Sequence, residues 1–203
     1  MDISNGNVTK ELKGHNGTVK CLKLIKNDVL ASGSSDGRIF LWNLTSNSIA
    51  FEFLHTSQVN DMVLYGNQTL ISCSNERAIN FWSLSNYSLI KNMKVHNNVT
   101  TALKLISNQI LATGSLDTFI NLWDLNTFKQ IASMGFTYVT GLEYSDENKD
   151  ILYSAGNGGS LKLWNLTTHK LIKSITISSI THIIKLNKLN SSLANISYFN
   201  KGR

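Results

Sequence analysis

Hydrophobic residues in this chain fall into short runs, each cut off by Asn, Ser, Gly or Asp. Between residues 11 and 50 the pieces are ELKGH, TVKCLKLI, NDVLASGSSDG, RIFLWNL and NSIAFEFL. Brief apolar or alternating segments bounded by turn formers are strand signals, and each piece reads as a strand. Val19, Leu22 and Leu24 make an apolar first strand. Val29, Leu30 and Ala31 lead into Ser32-Gly33-Ser34, where small side chains permit close packing. Asp36-Gly37 predicts a two-residue hairpin, because glycine tolerates the positive φ of so tight a turn. Ile39, Phe40, Leu41 and Trp42 then form a third strand that is apolar on both faces, as a sheet covered on both sides requires.

The pattern recurs along the chain. The four tryptophans stand at positions 42, 82, 123 and 164, spaced 40, 41 and 41 residues apart, and they end the runs RIFLW, AINFW, FINLW and LKLW. A period near forty with an aromatic closing each unit is the signature of a β-propeller, in which one repeat folds to a four-stranded sheet. The predicted fold class is therefore all-β and a single domain, with complete blades at approximately 11–50, 51–90, 91–131 and 132–172 and a partial fifth at 173–203. Ile180 to Leu186 and Leu193 to Ser197 read as the first two strands of that fifth repeat, and Val8 to Leu12 as an outer strand before the first. Repeats bury their faces only against neighbours, so an incomplete, open ring is expected. It is foremost a piece of a longer gene product; otherwise it is an arc completed by missing repeats or another chain, or a compact ring of five blades closed by Val8 to Leu12.

Gly14-His15, Leu30-Ala31-Ser32-Gly33-Ser34, Ser35-Asp36-Gly37 and Leu41-Trp42-Asn43 resemble the Gly-His to Trp-Asp pattern of the WD-repeat (WD40) family, and the resemblance runs over nearly the whole chain. In that family His, Ser or Thr, Asp and Trp of one blade form a buried hydrogen-bonded tetrad. The resemblance therefore implies complete tetrads of His15, Ser32, Asp36 and Trp42 in the first repeat and of His96, Thr113, Asp117 and Trp123 in the third. The second repeat has His55, Ser72, Glu76 and Trp82, with a carboxylate one methylene longer. The fourth has Ser154 and Trp164, but Gly158 replaces the acid, and aligning Val139 with Val19 puts Gly135 at the histidine position, ahead of an insertion around Asp146 to Lys149. Repeats one and three are expected to be the stiffest and repeat four the loosest.

Charge and composition change this picture little. The net charge is +6, but the lysines are scattered, and the densest group, Lys20, Lys23 and Lys26, reads as a solvated face. Nucleic acid is thus a subordinate expectation. Cys21 and Cys73 lack CxxC spacing and sit in apolar strands, as buried free thiols do. The opening MDISNGNVTK has no apolar core, and no stretch approaches about eighteen apolar residues. An intracellular protein, cytoplasmic or nuclear, with no signal peptide and no membrane span is expected. The chain lacks proline, and Asn, Ser and Gly supply the turns.

A His, Ser and Asp trio invites a catalytic-triad reading. Here the trio recurs by repeat with a tryptophan partner, which is how a packing motif behaves, so no catalytic residue and no enzyme is expected. The histidines come one per blade, which predicts no metal site, and no cofactor is implied.

By resemblance, a partner binds at the top face, where the loops entering each first strand and the turns before each third strand emerge. The implied positions are Ser35, Asn75, Leu116 and Asn157 in the turns, with Thr18 and Lys20, Gln58 and Asn60, Val99 and Thr101, and Tyr138 and Thr140 around the first strands. Val99, Leu116 and Tyr138 stand out, because apolar and aromatic side chains in exposed turns anchor protein interfaces. The function expected is a non-enzymatic scaffold that binds a peptide or protein. The alternatives are a basic ribonucleoprotein component contacting RNA phosphates through Lys20, Lys23 and neighbours, or an accessory module of a larger enzyme or complex.

Overall fold

Alternating apolar positions and frequent turn residues resolve into strands throughout. The computed structural model describes residues 10–145, 148 and 150–176. Among these the first blade comprises β1 (Val19–Lys26), β2 (Val29–Ser34), β3 (Arg38–Asn43) and β4 (Ser48–Leu54). The second comprises β5 (Val59–Tyr65), β6 (Thr69–Ser74), β7 (Ala78–Ser83) and β8 (Leu89–Lys94), and the third β9 (Thr100–Leu105), β10 (Ile110–Ser115), β11 (Phe119–Asp124) and β12 (Lys129–Gly135). The fourth comprises β13 (Val139–Tyr144), β14 (Ile151–Gly156), β15 (Ser160–Asn165) and β16 (Lys170–Thr176). Each blade is an antiparallel meander in chain order. The first strands line up as β1 beside β5, β5 beside β9 and β9 beside β13, so they form the inner edge of an arc. Among the described residues the ring does not close.

Turn chemistry fixes both ends of every blade. The hairpin before the third strand places Gly37, Arg77, Thr118 and Gly159 in the left-handed region, with φ of 82°, 68°, 75° and 72°. Glycine holds that conformation without strain, whereas the β-branched Thr118 holds it at a cost. The hairpin after the third strand places Asn47, Tyr87, Phe128 and His169 there, and the register slips at the tryptophan of every blade. Such a bulge bends the strand and strengthens its twist. It also lays a ring on the preceding blade: Tyr87 stacks on Phe51 at 4.4 Å, and Phe128 meets Phe81 edge-on at 5.5 Å.

The core is three interfaces between blades, one per neighbouring pair. A leading face of each blade meets a trailing face of the next. Ala31, Ile39, Leu41 and Phe53 of the first blade pack on Val59, Met62, Leu70 and Trp82 of the second. Ile71, Ile79, Phe81 and Met93 then pack on Leu103, Leu111 and Trp123. Ala112, Ile120, Leu122 and Met134 pack on Val139, Leu142, Leu152 and Trp164. Full burial of one such large side chain is worth about 1.5–3 kcal/mol, so each interface outweighs any single hydrogen bond in it. Gly33 shows how close the blades come, since a Cβ there would lie 2.7 Å from the Val59 side chain.

Two expectations change at the first blade. Lys10 to Leu12 lie in no strand, although Lys10 Nζ donates to the Leu44 carbonyl at 3.0 Å. Val8, Thr9, the fifth-repeat strands Ile180 to Leu186 and Leu193 to Ser197, and residues 146, 147 and 149 of the insertion lie outside the described residues. The lysines of β1 do not share one solvated face. Strand side chains alternate, so residues an odd number apart point to opposite sides: Lys20 and Lys26 are exposed with Leu22 and Leu24, whereas Lys23 is half-buried with Cys21 and Ile25.

Candidate partner-binding face

The strand register brings the histidine that enters each blade over the hydroxyl of its second strand. In the first blade His15 Nε2 lies 2.7 Å from Ser32 Oγ, Trp42 Nε1 donates to the same oxygen at 2.7 Å, and His15 Nδ1 lies 3.0 Å from Asp36 Oδ2. In the third blade the matching distances are 2.8 Å for His96 to Thr113, 3.0 Å for Trp123 to Thr113 and 2.8 Å for His96 to Asp117. A carboxylate only accepts and an indole N–H only donates. The protons therefore run one way: indole to hydroxyl, hydroxyl to Nε2, and Nδ1–H to carboxylate. The carboxylates also cap their own turns, Asp36 accepting from the Asn16 and Arg38 amides and Asp117 from those of Asn97 and Phe119. Burial pushes Asp36 and Asp117 up, but these amides and the histidines outweigh it and hold both carboxyls below their ordinary range. Burial is also the largest influence on His96, lowering it and favouring the neutral ring against the pull of Asp117. Ser72 and Thr113 have no exposed surface and Ser32 almost none, so no substrate can reach these hydroxyls.

The second blade keeps the constellation but loosens it. His55 Nε2 lies 2.7 Å from Ser72 Oγ and Trp82 Nε1 donates there at 2.7 Å, yet Glu76 stands 3.5 Å from His55 Nδ1. The longer side chain reaches past the ring to the amides of Thr56 and Ser57. Asn80 fills in beside His55 Nδ1 at 3.3 Å, and burial, ahead of the opposing Glu76 charge, lowers the pKa of His55.

In the fourth blade Phe136, not Gly135, occupies the histidine place. Its ring meets Trp164 edge-on at 6.2 Å, as His15 meets Trp42 at 6.2 Å, while Gly135 ends β12 with open space where a side chain would stand. The loop from this ring to the first-strand valine is one residue shorter here, and equal spacing therefore pointed one residue too early. The indole still donates to Ser154 Oγ, at 2.8 Å. Gly158, with φ of 75°, stands at the acid position.

Meander topology puts the turns before the third strands and the loops between blades at one end of the arc. There the two sets of predicted contact residues are joined by main-chain bonds: Ser35 N donates to Thr18 O, Asn75 N to Gln58 O, Leu116 N to Val99 O and Asn157 N to Tyr138 O, at 2.9, 3.1, 3.0 and 3.1 Å. Lys20, Tyr138 and Asn157 are exposed, with Tyr138 keeping 49% of its surface, and Val99 and Leu116 are half-buried. Tyr138 and Asn157 line a groove of about 450 Å³ with Thr118, Phe136, Thr137 and Gly158. Asn60 and Thr101 instead commit their polar groups to neighbouring blades, Asn60 Nδ2 donating to the Thr100 carbonyl at 2.7 Å and Thr101 Oγ1 to that of Val139 at 2.6 Å. Thr140, their counterpart in the fourth blade, has a buried hydroxyl with no hydrogen-bond partner.

Sequence reasoning missed Asp61, a lone acid in the inner strand β5. Its carboxylate accepts from the Met62 and Leu103 amides, both at 2.8 Å, and so ties the second blade to the third. Burial raises its pKa to about 6, against these bonds and the nearby Lys23 and Lys104 charges. One blade on, Lys104 Nζ pairs with Glu143. Burial drives the thiol of Cys21 up to about 12 and that of Cys73 well above its ordinary range, and both cysteines are free. Among the described residues no group of three His, Cys, Asp or Glu side chains is placed to hold a metal, and no helix is long and apolar enough to cross a membrane.

Comparison with known proteins agrees with this architecture. The family model of the WD domain, G-beta repeat, matches residues 6–43 and 87–124. The chain carries WD repeats, built as propeller blades. The protein ROOT INITIATION DEFECTIVE 3 of Arabidopsis thaliana is 34% identical over 108 residues, covering 45% of this chain and 25% of its own length. The small ribosomal subunit protein RACK1z of Arabidopsis thaliana is 27% identical over 94 residues, 46% of this chain and 29% of its own. The ribosome biogenesis protein YTM1 of Yarrowia lipolytica is 49% identical over 39 residues, 19% of this chain and 8% of its own. The matched region thus spans less than a third of the length of each of these relatives.

Proposed function

We propose that this chain is a non-enzymatic interaction scaffold, working inside the cell, that binds a peptide or protein across the Val99, Leu116 and Tyr138 side of its top face. The observation that carries the reading is the groove beside Tyr138: an exposed aromatic ring stands over a concave, partly apolar surface between the third and fourth blades. An aromatic anchor next to a pocket is the usual centre of binding energy in a protein interface. Thr118 lines the same groove in a left-handed conformation that its side chain disfavours, and backbone strain of this kind collects at binding sites. The tetrads serve as the frame, since their hydroxyls are sealed inside the blades.

The test compares capture of partners from source cells by the wild type, Leu116→Asp and Tyr138→Ala. Both variants are expected to lose the principal partner at least tenfold while unfolding at an unchanged temperature. An unchanged partner list for both would remove the proposed face. A second reading, contact with RNA inside a ribonucleoprotein, is favoured by the ribosomal names of two relatives and by the exposed Lys20 and Lys26. Salt separates the two, because phosphate binding falls steeply as salt rises, whereas an apolar anchor is nearly indifferent to it.

A further inference from the structure

Asparagine followed by glycine is a chemically labile pair, because no Cβ on the second residue keeps its amide nitrogen away from the asparagine side chain. The sequence holds three such pairs, at 5–6, 16–17 and 157–158, and the structure describes the last two. These two sit in opposite surroundings. A Cβ on Gly17 would lie 2.5 Å from Ser35 Oγ and 2.8 Å from the Asp36 amide, and the Asn16 amide is tied to Asp36 Oδ2 at 2.8 Å. Asn157 and Gly158 are exposed, and nothing lies within 4 Å of the place a Gly158 Cβ would take.

The freedom of Gly158 follows from the packing of the fourth blade. In the first three blades the amide at this turn position, that of Asp36, Glu76 or Asp117, donates to the hydroxyl of Ser34, Ser74 or Ser115, at 3.2, 3.2 and 2.9 Å. The fourth blade has Gly156 in the serine's place, so no such hydroxyl holds the Gly158 amide. A side chain is excluded there, since its Cβ would lie 2.5 Å from the Phe136 ring, 2.7 Å from Thr137 Oγ1 and 2.8 Å from the Tyr138 carbonyl oxygen. The phenylalanine that replaces the histidine thus removes the restraint. Two successive left-handed glycines, Gly158 and Gly159 with φ of 75° and 72°, leave the turn free to bring the Gly158 nitrogen onto the Asn157 side chain.

We propose that Asn157 is a site of spontaneous deamidation, a modification that puts an anionic side chain on the top face. The Gly158 nitrogen attacks Asn157 Cγ: the new N–Cγ bond closes a succinimide ring, the Cγ–Nδ2 bond breaks, and ammonia leaves with the amide proton. Water then opens the ring, at Cγ to give aspartate or at the main-chain carbonyl carbon to give isoaspartate. Either product adds a negative charge to the wall of the groove that Asn157 shares with Tyr138 and Thr118. An acidic partner segment is then repelled from that wall and a basic one drawn to it. The reaction needs no partner in the groove, so it and the partner-binding reading can fail separately.

Peptide mapping by mass spectrometry, after the folded full chain has stood in mildly alkaline buffer, reads each pair separately. Asn157 is expected to convert about tenfold faster than Asn16, the gap that a modest local restraint makes. In urea that restraint is gone, and the two rates are expected to converge. Equal rates in the folded chain, or an intact Asn157 once Asn16 has reacted, overturn the proposal. A gap that survives unchanged in urea assigns the order to the neighbouring residues and overturns the structural argument. Isoaspartate is expected beside aspartate at 157, and aspartate alone overturns the succinimide route.

Discussion

The third and fourth blades close the same space by opposite chemistry. Around Trp123 a histidine, a hydroxyl and a carboxylate form one proton-ordered chain, with the turn amides of Asn97 and Phe119 joined to it. Around Trp164 a phenylalanine takes the histidine place, no acid is present, and only the indole-to-serine bond is kept. Both tryptophans are buried. The blade itself therefore needs the indole packed on its neighbour, and the polar chain adds something narrower. It locks the entry loop and the third-strand turn to each other and to the blade.

The severest test of this comparison is Trp→Ala in each blade. Removing a buried tryptophan costs about 3–5 kcal/mol, and denaturant unfolding is expected to show similar losses for Trp123→Ala and Trp164→Ala. A loss below about 1 kcal/mol at Trp164 alone would mean that the fourth blade is not packed as described. Next in size, Asp117→Ala is expected to cost about 2–3 kcal/mol, because it strands His96 Nδ1–H and two amides at once. Gly158→Asp, which restores the acid to the fourth blade, is expected to gain nothing. It finds no histidine there and puts a side chain at a φ of 75°.

pH separates the blades further. The Asp117 carboxyl is held below its ordinary range by the folded structure, so its contribution is present above about pH 4 and is lost as the pH falls through its folded pKa. Nothing equivalent exists among the described residues of the fourth blade. Asp61 acts with the opposite sign. Its folded pKa of about 6 lies above the unfolded value near 3.8, so the native state holds its proton more tightly and stability falls as pH rises from about 4 to 6. The difference is worth roughly 3 kcal/mol on conversion of the shift. Asp61→Asn is expected to flatten that slope, and an unchanged slope in thermal scans at several pH values would remove the assignment. The smallest effect is local: amides of β14 and β15 are expected to exchange about tenfold faster than those of β10 and β11, a difference near 1.4 kcal/mol. Equal protection would show that the polar chain adds no stiffness.

Much of this was legible in the residues. The tryptophan period and turns such as Asp36-Gly37 specify sixteen strands and their order, because strand ends need turn formers and each third strand is apolar on both sides. The tetrad residues could be placed by offset, since strands of constant length keep constant spacing. That logic breaks where a loop changes length, and so equal spacing points to Gly135 where Phe136 stands. It breaks again where a polar residue faces a neighbouring blade, because spacing within one repeat carries no information about the next. Asn60 and Thr101 therefore resemble partner contacts in the sequence although they bond across blades, and no repeat offset marks the buried Asp61. Sequence nearness groups the first-strand lysines, although strand alternation separates Lys23 from Lys20 and Lys26.

The outer rim adds a mechanical consequence. Tyr87 reaches back to Phe51 and Phe128 to Phe81, each from a left-handed turn residue, with Lys91 4.3 Å above the Phe128 ring. His169 occupies the same turn position in the fourth blade and makes no ring contact among the described residues. The first three blades are thus clasped along their outer edge, and the fourth lacks that clasp among the described residues, relying on the packing of Met134 and its neighbours on Leu152 and Trp164. Pulled from its rim, the arc is expected to open first at the fourth blade, like a seam with its last stitch left out.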